Sequence, residues 1–388
     1  MSDKNAKVIA VIFLLIIFIF GAGTLLKCED TFRTIIKENK FFSCKTEVEQ
    51  SIQEQFKSRN NWINLNGVFQ RLIGSTIIRD AGDTDVYKLK NGQIMSTLAR
   101  QNMDSYSKKL KSFYEECTKL DVDFLYVQLP FKIENDNVMP VGTSEYGNEN
   151  ADELLKYLRK YEVPTLDIRD KIREMGYQYE DLFFNTDHHW KPRTALWAAG
   201  VIAKDMSNRY NYNIELEHYN IQHYDVKTYE NWFLGSLGKR TGVWYAGVDD
   251  FDLITPDFDT NFDFYAECAN GDTVVREGAF DKAMFAYQNI EKKDYFNLNT
   301  YAGYIGGDYP LNQIKNNMAV NDKKVLLIRD SFSCAMQPYL ALSVGEIDAI
   351  DLRHYQGMSL KEYIVKHDID LVIVAYNPSA FGEQQFWF

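Results

Sequence analysis

Near the middle of the chain, Asn185-Thr186-Asp187-His188-His189-Trp190 sets a carboxylate and two imidazoles side by side. An imidazole whose tautomer is fixed by a carboxylate is a general base able to activate a serine hydroxyl, itself a weak nucleophile. A second stretch, Val325-Leu326-Leu327-Ile328-Arg329-Asp330-Ser331-Phe332, offers that hydroxyl. It reads as an apolar strand ending in a serine, followed by a helical pattern. A serine at such a junction has its own N–H and its neighbour's among the unpaired amides of a helix N-terminus, where an oxyanion would be stabilised. Together the two stretches point to acyl transfer by a triad of Ser331, one histidine and Asp187. Adjacent side chains of an extended loop point apart, so only one of His188 and His189 faces the serine. Taken singly, each stretch has a plainer role. Asp330 or Ser331 would cap the helix, and Asp187 would cap another beside two surface histidines. Zinc binding is the competing chemistry, since His and Asp are zinc ligands. It would need help from His218, His223 or His354, and no H-E-x-x-H spacing supplies it. The expectation is therefore no metal and no cofactor.

These groups need elements to hold them. Pro192 follows the Asp-His-His-Trp string, and Leu196, Ala199, Ala203 and Met206 continue with helical spacing. Proline is well tolerated at the first helical position, so Asp187 and the histidines lie on a loop at a helix start. Upstream, Met103, Tyr106, Leu110, Phe113, Cys117 and Leu120 alternate spacings of three and four, which predicts a helix with one buried face. Phe124–Val127 reads as a strand, Leu154, Leu155 and Leu158 as part of a helix, and Pro164–Ile168 as a strand. Strand–helix alternation of this kind predicts an α/β layer with a parallel sheet. Residues 209–300 break the pattern and read as a β-rich insertion, in which Gly235–Gly242 is a tight turn carrying two cations and lacks the phosphate-loop spacing. The alternation resumes with strands at Val325–Ile328, Ile347–Leu352 and Leu371–Ala375. Ser359-Leu360-Lys361-Glu362 has the spacing of a capping box. Lys90-Asn91-Gly92-Gln93 marks a hairpin turn.

Val8–Leu26 carries no charge and has the length of a bilayer-spanning helix. Lys4 and Lys7 precede it, so the positive-inside rule leaves the first residues in the cytoplasm and the rest outside. A cleaved signal peptide is the competing reading. A formal net charge of -12 argues against nucleic acid as a partner, because phosphate binding needs a basic surface. Aromatics make up 14% of the chain, enough both for a tyrosine-rich core and for a groove that stacks on sugar rings. The five cysteines include no C-x-x-C pair, which signals neither a zinc ribbon nor a disulfide framework, and Cys117 falls on a buried helix face.

Asn185–Trp190 taken with Arg329-Asp330-Ser331-Phe332 resembles the DHHW family, a relative of the exported alginate O-acetylation proteins of the SGNH hydrolase superfamily. The resemblance runs from about Gln55 to Ala375 and includes Gly235–Gly242 and Tyr304–Pro310. It implies a three-layer α/β domain in which Asp187 orients, His189 is the base and Ser331 attacks, with His188 in the variable position as the alternative base. Serine-last order is permuted relative to ordinary SGNH esterases, and Arg329 stands where a glycine is usual. Gly306, Gly307 and Asn377 are the oxyanion candidates. Arg353, Trp190 and Tyr304 are the candidates for substrate contact. The resemblance further implies a polysaccharide acceptor and a polytopic membrane-bound O-acyltransferase that exports the acetyl group. The expected organisation is a cytoplasmic stub at 1–7, a transmembrane helix at 8–26, a helical stalk at 27–75, the first part of the α/β domain at 76–208, the insertion at 209–300 and the second part at 301–388. The expected function is that of a membrane-anchored O-acetyltransferase or acetylesterase outside the cell. The other reading is a catalytically inactive exported glycan-binding or assembly protein on the same fold.

Overall fold

The computed structural model describes residues 3–37, 45–79 and 84–388. Cys44 lies outside the described residues, and Cys28, Cys117, Cys268 and Cys334 are free thiols.

An eight-stranded sheet forms the centre. Across it run Thr165–Asp167, Asp123–Gln128, Leu371–Tyr376, Lys324–Arg329, Glu346–Ile350, Leu311–Asn316, Phe262–Glu267 and Thr273–Gly278. The first five are mutually parallel. The last three add antiparallel pairings to the parallel set that alternation predicted. Only a few residues join Phe262–Glu267 to Thr273–Gly278, too few for the crossover that parallel strands require. A separate antiparallel pair, Tyr224–Phe233 with Asp249–Pro256, flanks the sheet, as does a small three-stranded one that contains the Val86–Lys88/Ile94–Met95 hairpin.

The two central strands, Lys324–Arg329 and Leu371–Tyr376, are apolar almost throughout because both of their faces are covered. On one face Val325, Leu327 and Ile373 pack with Leu196, Ala199 and Met336 from the helices Pro192–Tyr210 and Ser333–Leu340. On the other Leu326, Ile328 and Val374 meet Leu110, Leu154 and Ile364 from Asp104–Lys119, Gly147–Lys160 and Leu360–Lys366. Three layers result. Pro192 occupies the start of its helix, and Ser359 with Glu362 forms a complete capping box.

This layering gathers three loops at the carboxyl ends of neighbouring strands, where open α/β sheets place their ligands. Asp330-Ser331 follows Lys324–Arg329, Asn377 follows Leu371–Tyr376, and Leu129–Lys132 follows Asp123–Gln128.

At the amino end, the helix Asp3–Lys27 contains an apolar span, Lys7–Lys27, long enough to cross a membrane. That property is shared by an anchor and a signal sequence.

Candidate active site

Ser331 occupies the turn between its strand and the helix Ser333–Leu340. The Asp187 loop reaches it from the start of Pro192–Tyr210. His189 Nε2 lies 2.8 Å from Ser331 Oγ, and His189 Nδ1 lies 2.5 Å from Asp187 Oδ1. The ring is fixed on its faces as well. Tyr301 stacks on it at 4.1 Å between centroids, and Phe332 lies at 5.0 Å. His188 turns away: its Nδ1 is 3.3 Å from Ser236 Oγ and 3.5 Å from Asp187 Oδ1. Burial and the neighbouring His189 push the His188 imidazole down to about 3. Only His189 therefore aligns a ring nitrogen with the hydroxyl.

Asp187 is buried, and each of its oxygens is used. Oδ1 accepts from the His189 amide at 3.0 Å as well as from the ring, and Oδ2 accepts from the Ser236 amide at 2.6 Å. Burial alone would raise this carboxyl; the two histidines and the amide bond hold it well below the usual carboxylate range. The Ser236 amide opens the short helix Ser236–Thr241, where a tight turn was expected from the glycines. Those glycines serve close packing instead. A Cβ on Gly235 would lie 2.2 Å from Asp187 Cβ, and one on Gly238 would lie 2.9 Å from Thr186 Cβ. Gly235→Ala is expected to displace Asp187, lowering turnover about tenfold or more while circular dichroism stays native, as misplacement of a catalytic group by a fraction of an ångström does.

Two further residues hold this loop, and neither stands out in the sequence. Asp249 accepts from the amides of Asn185 and Thr186 at 2.8 Å each and from Thr186 Oγ1 at 2.7 Å. Lys132 is buried, and its ammonium donates to the carbonyls of Ile94, Asn185 and Asp187 at 2.8, 3.1 and 2.8 Å. Burial pushes the Lys132 ammonium down to about 7, against the pull of Asp249 and Asp187. Lys132→Met would strand the buried carbonyls of Ile94 and Asp187, while Asn185 O keeps the Ile94 amide at 3.0 Å. Urea unfolding should then show a loss of roughly 3 kcal/mol, since each orphaned buried polar group costs on the order of 1–3 kcal/mol.

On the serine side, Asp330 accepts from the Phe332 amide at 2.9 Å and the Asn377 amide at 2.6 Å, and burial raises its carboxyl to about 6. The Phe332 amide, one of the two oxyanion donors expected from the strand–helix junction, is thus occupied. The Ser331 amide finds no acceptor among the described residues. Of the other candidates, the Gly306 amide donates to Tyr304 O at 2.7 Å, whereas the Gly307 amide finds no acceptor among the described residues. Asn377 is buried; its Nδ2 donates to Pro130 O and its Oδ1 accepts from Ser379.

Arg329 is fully buried. Its guanidinium donates to Asp308 Oδ1 at 2.7 Å and to Tyr309 O at 3.1 Å, and so ties the Gly306–Asp308 loop to the strand that carries Ser331. Arg353 pairs with Asp351 and, at 3.3 Å, with Asp308. Burial alone would raise Asp308, but Arg329 and Arg353 hold it near 2. Trp190 and Tyr304 have no exposed ring face. Trp190 Nε1 donates to Phe332 O at 3.0 Å, and the Tyr304 hydroxyl donates to Asp252 O at 3.0 Å. The aromatic ring against the imidazole is Tyr301.

Asp187, His188 and His189 hold potential ligand atoms within 4.8 Å of one another. His218 and His223 instead face Glu215 and Asp257, and neither belongs to that group. The donor set is thus three adjacent residues, of which His189 and Asp187 are already engaged with Ser331 and Ser236.

Residues 92–242 match the family model described as SGNH hydrolase-like domain, acetyltransferase AlgX. The matched region includes Asp187–Trp190 and Gly235–Gly242 and stops short of Ser331. The fold is similar to that of Bacillus cereus PatB1, solved with a sulfonyl adduct, at 21% identity and a TM-score of 0.65 over 80% of this chain and 98% of that one. It is also similar to a DHHW family protein from Eubacterium siraeum, at 19% identity and a TM-score of 0.58 over 80% of this chain and 95% of that one. No curated protein matches the sequence.

Proposed function

We propose that this chain, which carries an AlgX-like SGNH hydrolase domain, is a membrane-anchored O-acetyltransferase or acetylesterase that acts outside the cell on a polysaccharide. The observation that carries this reading is the continuous line from Asp187 through His189 to Ser331. In it, His189 Nε2 takes the Ser331 proton as Oγ attacks the acetyl carbonyl carbon. The Ser331 amide donates to the oxyanion of the tetrahedral intermediate. Collapse breaks the bond to the donor oxygen, which leaves with the proton from His189, and acetyl-Ser331 remains. A sugar hydroxyl then loses its proton to His189, attacks the acetyl-serine and regenerates the free hydroxyl; water in its place gives hydrolysis.

The anchor reading rests on the apolar span Lys7–Lys27 and on the lysines before it. It leaves the amino terminus in the cytoplasm and the catalytic body outside. An exported body has no acetyl-coenzyme supply of its own, so the acetyl group would come from a polytopic membrane-bound O-acyltransferase. The resemblance to alginate O-acetylation proteins supports a hydroxyl-rich glycan as acceptor.

Intact mass spectrometry tests the chemistry. After exposure to p-nitrophenyl acetate, or to an arylsulfonyl fluoride of the kind that would leave a sulfonyl adduct, the wild type should carry one added acyl or sulfonyl group or turn the ester over. Ser331→Ala should do neither. Equal behaviour of the two proteins would remove Ser331 as nucleophile and leave the glycan-binding reading.

A further inference from the structure

The helix Arg59–Leu72 packs on the body by its small and polar side. A Cβ on Gly67 would lie 2.4 Å from Thr241 O, and Asn64 Oδ1 accepts from the Val243 amide at 2.9 Å. Its opposite side is apolar and open. Trp62 is 40% exposed, Leu65 57%, Phe69 58% and Leu72 79%, and these residues recur at spacings of three and four along one stripe. Trp244, 61% exposed, lies beside it: Arg71 of the helix donates to its carbonyl at 3.1 Å. A soluble monomer rarely leaves such a stripe to water.

What covers it is indicated by where the helix begins. Trp62 meets Phe20 edge-on at 5.2 Å, Phe56 stacks on the same ring, and the Lys57 amide donates to Thr24 Oγ1 at 3.1 Å. Phe20 and Thr24 belong to the last two turns of the apolar span. The stripe therefore continues from the side of the segment read as the anchor. The helix also contains Arg59 and Arg71 and no carboxylate, although the chain as a whole is strongly acidic. Apolar side chains, tryptophans and flanking arginines are what a helix lying in a lipid headgroup layer requires.

We propose that Arg59–Leu72 lies flat in the outer headgroup region of the membrane that holds the anchor, with Trp62, Leu65, Phe69, Leu72 and Trp244 facing the acyl chains and the arginines facing lipid phosphates. This rests on the anchor reading and extends it. An anchor alone tethers the body; a second contact fixes its tilt. Because Gly67 packs against the Ser236–Thr241 helix, whose first amide holds Asp187, that tilt also sets how the reacting groups face the bilayer.

The full chain, reconstituted into phosphatidylcholine–phosphatidylglycerol vesicles with brominated acyl chains, provides the test. In a Trp62→Phe/Trp244→Phe background, which keeps Trp190, Trp197, Trp232 and Trp387, the difference spectrum of a Leu72→Trp reporter against that background should show blue-shifted emission and about a twofold loss of the reporter's fluorescence to bromine, as contact with acyl chains requires. A Val275→Trp reporter, on an exposed position of the far sheet edge, should show neither. If the chain floats with the vesicles but the Leu72→Trp reporter behaves like Val275→Trp, the proposal is overturned and the stripe is left to a protein partner. If the chain does not float at all, the anchor reading fails first and the proposal falls with it.

Discussion

Ser331→Ala is expected to lower acetyl-ester turnover by roughly 10³-fold or more while leaving the fold intact. The change removes one oxygen whose hydrogen bond runs to His189 Nε2, so only that ring nitrogen, at the open end of the triad, loses a partner. The thermal midpoint should accordingly move little, as for substitutions away from core packing. His189→Ala should cost about as much as Ser331→Ala, and the double variant little more, because the two groups act as one unit. Initial rates with p-nitrophenyl acetate for the three variants, read beside their melting curves, decide the matter. Additive losses would contradict a shared proton transfer, and an undiminished rate in Ser331→Ala would remove the nucleophile.

Asp187→Asn should have the second largest effect, a fall of roughly 10³- to 10⁴-fold in kcat at unchanged KM. The reason lies in the donors around it. Both carboxylate oxygens accept: one from the His189 ring and amide, the other from the Ser236 amide. An asparagine amide has only one accepting atom. With its oxygen toward His189, its NH2 opposes the Ser236 amide. With its NH2 toward His189, the ring must accept at Nδ1 and carry its proton on Nε2, aimed at Ser331, and no base remains. Because the folded carboxyl lies well below its ordinary value of 3.8, the stability it contributes is fully present above that value and is lost as pH falls through the lower folded one. Wild-type unfolding measured against pH should show this acid-side loss, and Asp187→Asn should lack it. Activity lost in the mildly acidic range then reflects another group.

The residues that meet at the site were legible because each carries a local signature: three adjacent polar side chains before a proline-started helix, and a serine where an apolar strand gives way to a helix. Which histidine faces the serine was not, since backbone direction in the loop decides it. Lys132 and Asp249 left no trace, because what they bind is main-chain carbonyls and amides of a distant loop, and a lone lysine after Phe131 gives no hint of that. The glycines of Gly235–Gly242 were visible as a cluster, but their purpose, contact with Asp187 and Thr186, depends on tertiary approach. The parallel half of the sheet was readable from apolar runs covered on both faces. Its antiparallel extension was hidden in a stretch whose strands alternate aromatic and polar residues. Trp190 and Tyr304 looked like sugar platforms by type; burial on every side makes them framework.

His189 and Ser331 are separated by 142 positions, and much of the sheet is built from the chain between and beyond them. Closing so long a loop is entropically costly and must await the strands that bracket it. Recovery of ester turnover after dilution from urea should therefore coincide with the slowest spectroscopic phase, and no proteolytic fragment containing only one of the two segments should show any. Catalytic competence in this architecture reports the completion of folding, which makes the activity itself a sensitive gauge of misassembly.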